Sequence, residues 1–168
     1  MGNESSVAEP LEVRGDSALT DAPVPTNPSA RTVPSWGGPL AEGDYEALSQ
    51  SWITRELADQ AMLRRVDAQQ GREVVGQKGK RDCAGILFPL YWPEATHPHA
   101  YRLRRDNPEW KQGKDGALKP DRKYLGEPGS GNRLYFPPGV TAEQLADPAI
   151  PVVITEGEKK ALWSCPQF

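Results

Sequence analysis

Proline placement constrains this chain more than any other feature. Pro10, Pro23, Pro25, Pro28, Pro34 and Pro39 interrupt the first 45 residues, and no apolar period survives between them. Each proline fixes φ and removes a backbone donor, so neither a helix nor a ladder propagates through such a stretch. Residues 1–45 therefore read as a disordered leader. With 17 Pro and 16 Gly in 168 residues and a hydrophobic content of 37%, the chain as a whole has material for a small core only.

Charge is distributed unevenly. The net charge of −3 argues against a generic nucleic-acid binder, yet the sum hides two opposed regions. Residues 1–45 carry seven acids against Arg14 and Arg31, whereas residues 101–133 carry nine bases against five acids. An acidic tail beside a basic module is the asymmetry expected where the module meets an anionic partner.

Several chemistries are excluded early. Cys83 and Cys165 lie far apart and neither forms a Cys-x-x-Cys pair, so no disulfide framework and no zinc site are expected. His97 and His99 flank Pro98 and read as a surface turn. Apolar runs all fall short of membrane-spanning length, and the N-terminus has no basic-then-apolar signal pattern. A cytoplasmic location with no membrane partner follows. Gly126–Asn132 is no phosphate loop, because no Lys-Ser or Lys-Thr pair follows it.

The remainder alternates short elements. Thr54 is a good N-cap, with Ile53 and Ala58 spaced as a hydrophobic staple. The helix is expected to continue through Leu57, Ala61 and Met62 toward Arg64 and Arg65, closing before Gly71. Ile86-Leu87-Phe88, Tyr101-Arg102-Leu103-Arg104 and Leu134-Tyr135-Phe136 read as short strands, and Thr141 opens a helix to about Ala146. Pro151-Val152-Val153-Ile154-Thr155 has the β-branched character of a strand buried in a parallel sheet. Gly157 permits a sharp turn into a helix starting at Glu158. Glu156 thus falls at a strand's carboxyl end, where α/β sheets gather their chemistry. A carboxylate there suits magnesium or acid/base work.

Taken in order, Ala84-Gly85-Ile86-Leu87-Phe88-Pro89, Tyr101-Arg102-Leu103-Arg104-Arg105, Arg122-Lys123-Tyr124-Leu125, Gly131-Asn132-Arg133-Leu134-Tyr135-Phe136-Pro137-Pro138 and Ile154-Thr155-Glu156-Gly157-Glu158-Lys159-Lys160 form a specific series. From about residue 48 to 162 it resembles a domain-of-unknown-function family of plasmid, phage and integrative-element primase-like proteins. More remotely it resembles the replicative primase segment leading into a Toprim domain. The resemblance implies an α+β fold in three parts: the leader 1–45, a pre-Toprim module 46–148, and the first strand-turn-helix of a Toprim domain at 149–168. It implies a basic groove for DNA phosphates at Arg102, Arg104, Arg122 and Lys123, with Glu156 as catalytic and magnesium-binding carboxylate. Tyr124 and Tyr135 are assigned to the core rather than to base stacking.

Two departures limit the implied activity. Lys160 stands where replicative primases carry an acid, and no Asp-x-Asp pair follows Glu156 in the twelve remaining residues. The ending reads as a truncation or frameshift. The expectation is an inactive fragment of a mobile-element DNA replication protein that meets single-stranded DNA and a replicative helicase. Magnesium would enter only with the rest of the Toprim domain. A non-catalytic DNA-binding or helicase-docking module, and a remnant without function, are the alternatives.

Overall fold

The computed structural model describes residues 31–164, so residues 1–30 of the leader expected over 1–45 and the chain end at 165–168, with Cys165, lie outside the described residues. Helices α1 (Glu42–Ser49) and α2 (Arg55–Gln60) come first, then strand β1 (Arg64–Val66) and helix α3 (Ala68–Val74). The boundary expected at residue 45 therefore falls inside α1. Strands β2 (Gly85–Leu90), β3 (Ala100–Arg105), β4 (Trp110–Gln112), β5 (Leu118–Pro120) and β6 (Tyr124–Gly126) follow, and helices α4 (Ala142–Ala146) and α5 (Glu158–Ser164) close the series.

Four strands form an antiparallel sheet in the order β1-β2-β3-β6, and β4 and β5 make a separate hairpin. Ile86 pairs with Arg104 and Phe88 with Arg102, while Leu87 pairs with Leu103 and Leu103 with Leu125. Period-two alternation then sends these two sets to opposite faces. One face packs Ile86 and Phe88 against Leu48 of α1, Leu57 and Ala58 of α2 and Leu162 of α5. The other packs Leu87, Leu103 and Leu125 against Val66, Val75 and Cys83. The expected α+β class holds as a small mixed fold on an antiparallel sheet. Among the described residues no helix is long and apolar enough to cross a membrane.

Thr54 caps α2 through its hydroxyl, which accepts from Leu57 N at 3.2 Å, and Ile53 and Ala58 are buried in one cluster. The helix nevertheless stops at Gln60, short of the expected Arg64 and Arg65. Leu63 N donates to Ala58 O and Met62 N to Asp59 O, with Met62 at φ 54°. This is a Schellman ending whose left-handed residue is not glycine, so the sequence carries no stop signal. Asp67 then caps α3 by accepting from Gln70 N at 2.8 Å. Gly71, expected to end a segment, sits buried inside α3, where a Cβ would lie 1.9 Å from Cys83 O.

Two expected strands are corrected. Leu134–Phe136 joins no ladder, and Leu134 is exposed although Tyr135 packs on the core. Pro151–Thr155 is likewise unpaired, with Val152, Val153 and Ile154 exposed by 60%, 58% and 86%. A β-branched run becomes a buried strand only with strands beside it, and none among the described residues occupies that place. Thr141 opens α4 as expected, with a reciprocal capping box to Gln144.

Candidate functional site

The turn and helix at the end of the described chain do form. Gly157 turns at φ 86°, a conformation that suits glycine, and α5 follows at once. Leu162 is fully buried against Ile86 and Phe88, which fixes α5 over the Arg102 and Arg104 face of the sheet. An open cleft of about 430 Å³ results, lined by Arg102, Tyr124, Glu156, Gly157, Glu158, Lys159 and Lys160.

The two glutamates of the cleft have different roles. Glu158 is buried and accepts from Arg102 Nε at 3.1 Å, an ion pair that joins α5 to β3. Glu156 points to solvent and accepts from Lys160 Nζ at 3.1 Å. The sequence reading missed Glu158, because a helical Glu beside two lysines has no pattern that distinguishes it from a solvated one.

Beside the cleft, cations gather around Lys159. Lys159 donates from Nζ to Ser51 Oγ at 2.6 Å, and its proton affinity is lowered by burial first, then by the charges of Arg104 and Lys123. Arg104 Nε is buried without a hydrogen-bond acceptor. Among the described residues no carboxylate lies within ion-pairing distance of Arg104, Lys123 or Lys159. Burial pushes the Tyr124 phenol up, with Arg104 opposing, so Tyr124 is a half-buried wall of the cleft.

The structure thus brings Arg102 and Glu156 to one cleft and adds Glu158, Lys159 and Lys160, while Arg104 and Lys123 do not line it and reach it through their charge on Lys159. It leaves Arg122 outside. That residue sits in the turn before β6 at φ 49°, where its charge acts on Asp121. A magnesium ion does not fit the residues present: Glu156 faces Lys160, Glu158 is held by Arg102, and among the described residues no group of three or more carboxylates, histidines or cysteines comes together. A hard cation prefers several oxygen ligands, not one carboxylate among lysines. His97 is exposed, whereas His99 stacks on Trp92 at 4.4 Å.

Comparison of the chain with protein-family models, curated proteins and solved structures returns no match.

Proposed function

We propose that this chain is a phosphate-binding module of a primase-like DNA replication protein, holding single-stranded DNA in the cleft between β3, β6 and α5 without carrying out a transfer step itself. The observation that carries this reading is that the charges of Arg104 and Lys123 act on Lys159 from separate segments, with no carboxylate within ion-pairing distance of the three among the described residues. Concentrating like charges in a half-buried place costs stability, and an anionic ligand offsets that cost. Guanidinium binds a phosphate through two parallel donors and ammonium adds a mobile point charge. Arg102 stays with Glu158 and shapes the wall. The ordered motifs from Gly85 to Lys160 supply the replication context, and Glu156, with the Toprim assignment of the 149–168 segment, belongs to that part of the proposal.

A fluorescent single-stranded oligonucleotide titrated across a salt series tests the reading. Salt-dependent binding that persists in EDTA is expected. An Arg104→Ala, Lys123→Ala, Lys159→Ala variant should flatten the slope of log K against log salt by about 2, from roughly 0.7 per lost phosphate contact. A folded wild-type chain that fails to bind, or a variant with an unchanged slope, would sink the proposal.

A further inference from the structure

We infer that the β4–β5 hairpin is a base-stacking arm for single-stranded nucleic acid, with the Trp110 indole as its platform; this extends the cleft reading above and rests on it. All six strand residues of the hairpin are exposed. Trp110 pairs with Pro120 and Gln112 with Leu118, so these four share one face, on which Trp110 is 65% and Leu118 69% exposed. Lys111 and Lys119 share the reverse face, where Asp121 and Asp115 hold them at 2.8 and 2.7 Å.

The hairpin is anchored firmly at its base. Arg105, fully buried, donates to Asn107 O and to Glu109 Oε2 ahead of β4, and to Asp121 O after β5. The arm therefore projects from a fixed root, with its turn closed by Gly113 N donating to Ala117 O at 2.8 Å.

Charge identifies the occupant. Residues 110–123 carry five cations against Asp115 and Asp121, in a chain whose net charge is −3. Lys114, Arg122 and Lys123 have no carboxylate within ion-pairing distance among the described residues. Tyr124 lines the cleft and the Lys123 charge acts on Lys159 there, so arm and cleft adjoin through residues 121–124. An uncovered indole in a cationic setting is the chemistry that binds unpaired bases and their backbone together, with little sequence preference. Arg122, which the cleft leaves out, lies at the root of this arm.

Two labelled oligomers of equal length separate stacking from charge: a thymidine oligomer and a fully abasic one. Wild-type chain should bind the thymidine oligomer roughly tenfold more tightly, the loss expected for one stacked base. Trp110→Ala should lose that preference and bind the abasic oligomer unchanged, with the same salt slope; Trp110→Phe should restore most of it. Because Trp110 is exposed, circular dichroism of the alanine variant should match wild type. If Trp110→Ala keeps the full preference, the arm does not stack bases, while the cleft reading survives. If the wild-type chain binds neither oligomer, both readings fall.

Discussion

Arg102 on β3 donates from Nε to Glu158 on α5 at 3.1 Å, across 56 residues of sequence. Only 9% of the Glu158 side chain and 31% of that of Arg102 remain exposed, so each ion depends on the other for solvation. Glu158→Gln should lower the unfolding free energy by about 2 kcal/mol, a value reduced from that of a fully buried pair by the partial exposure of Arg102. Urea denaturation measures it. The same substitution should loosen α5 and weaken oligonucleotide binding, because Lys159 and Lys160 ride on that helix.

Arg105 should matter most to the hairpin. Its side chain reaches Asp82 O at 2.7 Å as well as the hairpin's two ends. Arg105→Met leaves these carbonyls without a donor and should cost about 3 kcal/mol. Hydrogen exchange should show β4 and β5 amides losing protection before those of β2 and β3.

Glu109 gives this anchor a pH dependence. The hydrogen bond from Arg105, then that from a backbone amide, lowers its pKa from 4.5 to about 2. A carboxyl lowered in the folded state stabilises the fold above its unfolded value near 4.5, and that contribution is lost as pH falls through about 2. Unfolding midpoints measured from pH 6 down to 2 should therefore decline less steeply in Glu109→Gln than in the wild type.

Lys159 should show a conflict between binding and stability. Its folded pKa lies below the ordinary 10.5, so protonation opposes folding at neutral pH, and this opposition fades as pH rises through the folded value toward 10.5. Lys159→Met should raise stability near pH 7 by about 0.5 kcal/mol while weakening DNA binding. The stability gap between variant and wild type should narrow in alkaline buffer. A variant that is less stable at pH 7 would show that the bond to Ser51 outweighs the crowding of charge.

Gly71→Ala should be among the most damaging single-methyl additions. The new Cβ would meet Cys83 O at 1.9 Å, a backbone atom that cannot move without shifting the start of β2. A loss of about 3 kcal/mol is expected by thermal or urea unfolding, against the small gain alanine gives in an open helix.

Where the information for a feature was local, the sequence by itself determined it. The Thr54 and Thr141 caps, the β2 and β3 strands, the Gly157 turn and the α5 start all follow from side chains within a few residues, and all formed. Arg102, Arg104, Arg122 and Lys123 group together on motif order alone, which does not show that Arg102 pairs its charge with Glu158. Tertiary structure alone decided the rest. Met62 ends α2 in a left-handed conformation that its own preferences oppose, because the chain must turn there for β1 to join β2. Arg122 separated from its neighbours because it sits in the tight turn before β6, at φ 49°, beside Asp121. Glu158, rather than Glu156, became the buried carboxylate once α5 settled on Ile86 and Phe88, for burial of an ion depends on where its partner stands and no spacing in the sequence records that.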